Sequence, residues 1–489
     1  MIGTLRSGAF RSVAGRRPRV VIIGGGLAGL SAAEAIARSG AEAVVTVLES
    51  RRMTGGRAGS FLDPVSGQSV DYCQHVAMGC CTNLLSLLDA CGLSDTLARY
   101  ETLSFHHPAA PPSMLAASSW LPAPLHLLPA LQSLAYLTRQ QRRQIRRGTW
   151  RLMRSRTATL QSVVAVDWLR AAGQSEATIG DYWNVIITSA LGESCEAVSM
   201  AAARKVFVDG FLAARGASDV LIPRPALSDL FGVRLPQVLS SLGVSIITQA
   251  SVRALRLSPQ AKSTERLSIE LANLGDTPLE ADHAILAVPW HQVQNVIDPA
   301  LAARAELAVD LWGAFPNSSI SGVHLWFDRP ITSQPHAVLV GTLAQWLFQR
   351  EAAETSSQGH YYQVVISAAR SLRAMPHDEV VQRVVEELAA AFPPAATAKL
   401  LHSRVVTDPQ SVFSIRPEVD AVRPLSRTAL PCLHLAGDYV QTGWPATMEG
   451  AVISGRMAAN GVLRKLGGVP ATISDGLPRN WLSRLLIRS

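Results

Sequence analysis

Two runs of consecutive apolar residues, Arg19 to Ile23 (RVVII) and Ala43 to Leu48 (AVVTVL), flank a glycine cluster and an alanine-rich stretch, Leu30 to Arg38. Unbroken β-branched runs this short mark strands buried on both faces, as in a parallel sheet. The order predicted is strand, glycine turn, helix, strand. Near the other end, Leu433 to Leu435 predicts a short strand stopping at Ala436, Gly437 and Asp438, with a small-residue helix after Thr447.

A contrasting pattern fills the middle. Residues 102 to 138 hold no Asp, Glu, Lys or Arg, and Ala109 to Leu137 is long enough to raise the question of a membrane-spanning helix. Pro111, Pro112, Pro122, Pro124 and Pro129 answer it, because so many prolines would break backbone hydrogen bonding at bilayer depth. The expectation is a partly buried or interfacial segment. Immediately after it, Arg139, Arg142 or Arg143, and Arg146 or Arg147 recur at helical spacing, a cationic stripe beside apolar surface. The alternative is a substrate-domain helix with a solvated basic face. Asn480 to Ser489 sets Trp481, Leu482, Leu485 and Leu486 near one helical face. So short a helix is marginal alone, so it either assists membrane contact or docks on the core.

Composition sharpens this picture. The chain has 489 residues, 48% hydrophobic and 17% charged. Such a length fits two or three domains, and a charged share below the usual ~25% excludes a disordered or fibrous chain. The net charge of +8 is matched by eight arginines in one acid-free stretch, Thr102 to Val166: Arg139, Arg142, Arg143, Arg146, Arg147, Arg151, Arg154 and Arg156. That segregation reads as a docking surface for phospholipid or nucleic acid, and the lack of an aromatic-basic recognition module disfavours nucleic acid. Residues 1–18 are also basic, with Arg6, Arg11, Arg16 and Arg17, and no acid precedes Glu34. They read as a short basic extension or an organellar presequence, without the apolar core of a secretory signal. Six cysteines without a CxxC pair fit a reducing compartment.

The glycine cluster carries the chemistry. Gly24 permits the tight turn, Gly26 lets the backbone approach a pyrophosphate, and Gly29 lets helix and strand pack closely, with Ala28 in the same turn. The helix N-terminus offers amides and a positive dipole end to phosphate. Glu49 ends the second strand twenty residues beyond Gly29, where a carboxylate accepts hydrogen bonds from ribose hydroxyls. NAD and FAD both fit this unit. Gly55, Gly56 and Arg57 add a second glycine turn with a guanidinium that can approach the cofactor, and Gly443 to Gly450 lead into a second helix N-terminus.

Together these blocks resemble the FAD-dependent amine oxidase and phytoene desaturase superfamily. The resemblance implies an α/β fold, a Rossmann-like FAD-binding domain of amine oxidase type with an inserted α+β substrate domain. It implies that Asp438 contacts the ribityl chain or phosphate and that Thr447 and Met448 lie beside the flavin ring, where the helix dipole meets charge gained on reduction. Val252 matches the strand whose backbone holds the adenine, and Ala287-Val288-Pro289 the strand end near the flavin. No second GxGxxG is present for NADPH, so the electron donor is the substrate, a partner reductase or a diffusible reductant.

Val70 to Cys80 (VDYCQHVAMGC), Ala165 to Leu169 (AVDWL), Lys205 to Leu212 (KVFVDGFL), Arg215 to Asp219 (RGASD) and Thr442 to Ala451 (TGWPATMEGA) are similar to hydroxysqualene dehydroxylases of bacterial hopanoid pathways. Tyr72-Cys73 and Cys81 depart from that group's pattern, which bears on substrate geometry. The amine oxidases' usual lysine after the strand equivalent to Ala287-Val288-Pro289 is missing: none occurs between Lys262 and Lys399. The group resemblance implies an isoprenoid alcohol whose hydroxyl is replaced by hydride from reduced flavin, giving squalene. The leaving oxygen must be protonated or strongly hydrogen-bonded, and His75 and Asp71 are the candidate catalytic residues. Otherwise His75 bonds backbone or flavin phosphate and Asp71 caps a turn. A carotenoid-type desaturase is the alternative flavoenzyme, and an inactive flavin-holding membrane scaffold the alternative that is not an enzyme. The expected location is cytoplasmic, peripheral to the inner face of the cytoplasmic membrane. Expected boundaries give the FAD domain residues 19–101, 218–300 and 405–465, the substrate domain 102–217 and 301–404, and a tail at 466–489.

Overall fold

In the computed structural model, which describes residues 16–259, 266–272, 277–350 and 359–488, the two predicted apolar runs pair in parallel inside a five-stranded sheet. Its order is Ser245–Ile247, Val44–Leu48, Arg19–Ile23, His283–Leu286, Leu433–Leu435, parallel throughout. Val20 and Ile22 enter one apolar core and Val21 and Ile23 another, so both faces are covered and the run has no reason to alternate. Most of the expected basic extension lies outside the described residues. Of what is described, Arg16 is bound to Asp282 at 2.7 Å.

The glycine-turn helix spans Leu27–Arg38, starting directly at Gly26, and the terminal helix spans Met448–Leu466, stopped by Gly467 in the left-handed conformation. The two cross with backbone against backbone. A Cβ on Gly455 would lie 2.2 Å from the Ala28 carbonyl oxygen, and the Ser31 hydroxyl donates to the Val452 carbonyl at 3.0 Å. Each helix follows a strand of the parallel sheet, so their N-termini face one crevice at the strands' carboxyl ends, where open α/β sheets bind ligands.

A second sheet of seven strands has the order Leu400–Phe413, Asn317–Phe327, His360–Ser367, Trp346–Gln349, His336–Leu339, Thr102–His107, Ala110–Ala116. One face packs Val323, Leu325 and Val364 on the helix His377–Ala391. The other carries Phe105, Val338 and Phe348 against Leu131, Leu134 and Ile145, with Cys73, Val76, Tyr136, Tyr182, Phe211, Ile320 and Trp346 half-buried beside them.

Three expected segments take the following forms. The uncharged segment 102–138 is partly buried: its first half is the hairpin Thr102–His107/Ala110–Ala116, with Leu103, Phe105 and Leu115 buried. Pro111 and Pro112 are tolerated there because Ala110–Ala116 is the sheet's edge strand. The boundary set between 404 and 405 falls within the strand Leu400–Phe413, whose long pairing with Asn317–Phe327 carries it past that point. The tail at 466–489 is a strap: Val469 bonds Ser39, Ser474 bonds Asn83, and Arg479 pairs with Asp209.

The loop between Ser60–Leu62 and Ser69–Asp71 is tied to the second sheet through buried Asp63, which pairs with His402 at 3.2 Å and Arg404 at 3.5 Å. Burial raises its pKa, but bonds from Ser66 and His402 outweigh burial and hold the carboxyl at about 2. A depressed carboxyl stabilises the fold above its unfolded pKa near 3.8 and loses that contribution as pH falls toward 2. Acid titration of Asp63→Asn, followed by circular dichroism, should therefore show a shallower fall in stability than wild type across that window. Gly455→Ala should destabilise the chain by roughly 1–3 kcal/mol, because the helices must separate. Urea unfolding reads this, and an unchanged midpoint would contradict the close crossing.

Candidate active site

The cradle is built first from backbone. Gly24 has φ +111°, and a Cβ there would lie 2.5 Å from the Ala287 carbonyl oxygen; one on Gly29 would lie 2.0 Å from the Gly24 oxygen. Only glycine fits either position. No side chain caps the helix at Gly26, so its first amides face the crevice without an internal acceptor. Gly26 bridges Gly55, and a Cβ on Gly56 would come 3.2 Å from the Gly26 Cα. Glu49 is buried and accepts from the Gly25 and Arg51 amides, both at 2.8 Å, which fixes its carboxylate at the strand end. Val252 lies two residues past Ala250, whose amide bonds the Glu49 carbonyl, so it stands at the same end of the crevice.

Arg57 joins the other blocks. Its guanidinium donates to Asp438 at 2.6 Å and to the Ser411 carbonyl at 2.8 Å and lies over the Trp290 ring, 5.3 Å from its centroid. Gly437 has φ +139° and donates to Ser454, and Thr447 caps the terminal helix by accepting from the Gly450 amide at 3.1 Å. Met448 is the first residue of that helix. Trp290 Nε1 and His291 Nδ1, next to Arg57, are buried without a partner among the described residues. Glycine-only approaches, uncapped amides, a held acid and orphaned polar atoms together fit an elongated dinucleotide. Glu449 faces elsewhere, accepting from Asn83 and Leu84 at the start of the helix Thr82–Ala90.

His75 and Asp71 follow on one segment but are held differently. Asp71 is buried and accepts from the Ser60 hydroxyl at 2.6 Å, the Leu227 amide at 2.9 Å and Arg350 at 3.3 Å, bonds that anchor the segment. His75 Nδ1 lies 2.9 Å from the Cys73 carbonyl oxygen. A carbonyl only accepts, so Nδ1 carries the proton and Nε2 presents a lone pair. Burial lowers the imidazole pKa; the Cys73 bond and Asp71 counter it in part, and Arg57 adds to it. With its pKa lowered from 6.5, the ring is an acceptor at neutral pH.

Comparisons with known proteins give the family and the fold. The family model "flavin containing amine oxidoreductase" matches residues 27–463. The chain belongs to this family. It is an FAD-dependent oxidoreductase. Among curated relatives, a hydroxysqualene dehydroxylase of Zymomonas mobilis is 26% identical, covering 90% of this chain and 97% of that protein. A probable zeta-carotene desaturase of Synechococcus elongatus is 25% identical, covering 91% of this chain and 98% of the relative. The 15-cis-phytoene desaturase of Narcissus pseudonarcissus is 24% identical, with 94% and 82% covered. Putrescine oxidase bound to putrescine shares the fold at TM-score 0.65 and 17% identity, with 92% of this chain and 99% of that chain covered.

The fold also brings in residues to which the motifs assigned no role. Lys205, on a π-helical segment of the kind frequent at functional sites, lies 4.6 Å from the Trp444 ring centroid, just before the terminal helix, and pairs with Asp209 at 2.9 Å. A lysine therefore reaches the loop leading to the second helix N-terminus, though not from the segment where the amine oxidases usually carry one. Its only sequence signal was membership of a family-like block.

Arg57→Met breaks the link among the three blocks and should weaken FAD binding at least about tenfold, about 1.4 kcal/mol. Titration of flavin-free protein by flavin fluorescence checks this; unchanged affinity would remove Arg57 from the cofactor site.

Proposed function

We propose that the enzyme reductively removes the hydroxyl of hydroxysqualene, giving squalene, while resting on the cytoplasmic face of a membrane. The observation that carries the reading is the apolar wall of the second sheet, where Tyr136, Tyr182, Phe211, Ile320 and Trp346 stay half-buried and Cys73 and Val76 join them on either side of His75. Such a wall suits a long hydrocarbon. The hydroxysqualene dehydroxylase relative, matched over 97% of its length, supports this substrate. The six cysteines form no disulfide among the described residues, which fits a reducing compartment. No helix among the described residues is long and apolar enough to cross a membrane, so the proposed contact is peripheral.

Bound FAD supplies hydride in its reduced form. The carbon–oxygen bond breaks as the oxygen takes a proton and leaves as water, and hydride takes its place on carbon. His75 Nε2 receives the substrate hydroxyl and orients that bond, with Nδ1 pinned to the Cys73 carbonyl. Once protonated, a buried imidazole is a strong acid, so His75 delivers the proton more readily than a solvated histidine. Asp71 is a positioning residue that holds the segment. Apolar walls keep water from recapturing the allylic cation.

A second reading, desaturation of a carotenoid precursor with electrons passing to FAD, has support from relatives of near-equal identity. Anaerobic mixing separates the two. Photoreduced enzyme with hydroxysqualene should yield squalene as the flavin reoxidises, whereas bleaching of oxidised enzyme by phytoene, with hydroxysqualene inert, would overturn the proposal. Because the His75 pKa is lowered from 6.5, turnover should rise as pH falls below that value, and His75→Gln should flatten the profile.

A further inference from the structure

Two surface features far apart in sequence meet in the fold. The arginine helix spans Arg139–Arg154, opened by a reciprocal cap between Thr138 and Gln141. It buries Ile145, Gly148 and Leu152 and exposes Arg139, Arg143, Arg146, Arg147, Trp150 and Arg151. The ion pairs among the described residues include none of these arginines. Arg142, by contrast, turns back to the Leu134 carbonyl at 2.8 Å. A free cationic row on a helix this well anchored is not required by the fold.

The strap from the C-terminal end docks beside it. The Arg488 amide donates to the Met153 carbonyl at 2.9 Å, Arg154 reaches the Leu485 carbonyl at 3.3 Å, and Arg204 holds the Arg488 carbonyl. At its other end Asn480 donates to the Ala123 carbonyl at 2.9 Å, next to a loop that Arg215 fixes by the Ser119 and Leu121 carbonyls. The strap's short helix, Trp481–Leu486, therefore bridges the proline-rich loop and the end of the arginine helix. Ile487 is buried in the core, while Trp481 is 74% and Leu485 63% exposed. On either side stand Trp120, 76% exposed, and Trp150, 48% exposed. Three tryptophans and a leucine held out into solvent by a fixed backbone, beside unpaired arginines, form one face.

Resting on the lipid-substrate reading above, we propose that this face is the enzyme's docking surface for an anionic phospholipid bilayer. Trp120, Trp481 and Leu485 enter the headgroup region, and Arg139, Arg143, Arg146 and Arg147 neutralise lipid phosphates. Tryptophan favours the water–hydrocarbon boundary, and each cation near an anionic membrane strengthens binding about fivefold. Behind the arginine helix, buried Leu131, Leu134 and Ile145 pack on the apolar wall of the second sheet. Docking there places the membrane next to the elements that lead toward His75.

The test uses full-length holoenzyme and vesicles of phosphatidylcholine with or without phosphatidylglycerol. Wild type should sediment with the anionic vesicles, release as salt rises, and show tryptophan fluorescence quenched by brominated lipid. Changing Arg139, Arg143, Arg146 and Arg147 to Gln should weaken binding at least about tenfold. Changing Trp120, Trp481 and Leu485 to Ser should leave electrostatic attraction but abolish the quenching. Equal binding by the arginine variant, equal binding to neutral vesicles, or preference for duplex DNA would overturn the proposal. So would wild-type fluorescence untouched by brominated lipid, a result that needs no variant. Flavin absorbance confirms that each variant is folded. Vesicle binding needs no substrate and micellar turnover needs no vesicle, so failure of the docking face and failure of the dehydroxylase reading are separable.

Discussion

The near-contact of two helix backbones governs this structure. Gly455 of the terminal helix rests on the Ala28 carbonyl of the glycine-turn helix, with no side chain between them. The crossing brings a helix from residues 448–466 beside one from residues 27–38, so two positive helix ends share one crevice. One end suits a pyrophosphate and the other a flavin ring that gains negative charge on reduction. Were the helices one side chain further apart, one cofactor could not engage both ends as it does in this family.

Around that crossing, a few polar links join the cofactor half to the second sheet. Arg57 connects the second glycine turn to Asp438 and to Ser411 on the long strand Leu400–Phe413. Asp63 does the same through His402 and Arg404, and Asp71 through Arg350. These carboxylates are buried, so each would be costly to leave unpaired. Orientation of the two halves is thereby tied to the segment that carries His75. The residue nearest the proposed chemistry is set by contacts with both sheets.

Charge follows the same logic of placement. The +8 equals the arginine count of one acid-free stretch, but those arginines do not act alike. Arg142 bonds a carbonyl, Arg151 and Arg154 bond carbonyls of neighbouring segments, and Arg139, Arg143, Arg146 and Arg147 stay exposed without ion pairs among the described residues. Tryptophans from a loop and from the strap then turn a basic helix into an amphipathic face.

Local sequence determined the parts whose physics is local. The run RVVII, the glycine spacing and Glu49 specify strand, turn, helix and acid within about thirty residues, and each requirement is steric or electrostatic at short range. The Arg139–Arg154 stripe was equally legible, because helical spacing alone puts those cations on one side. Tertiary structure decided what depends on distant partners. The segment 102–116 is apolar because it pairs in a sheet with residues beyond 330, which hydropathy cannot distinguish from membrane contact. Burial lowers the His75 pKa against the opposing pull of the Cys73 carbonyl and Asp71. Ser60, Leu227 and Arg350 converge on Asp71, and Lys205 reaches Trp444, only through the fold. Proton affinity and surface exposure are set by neighbours in space, and the order of residues along a chain does not contain them.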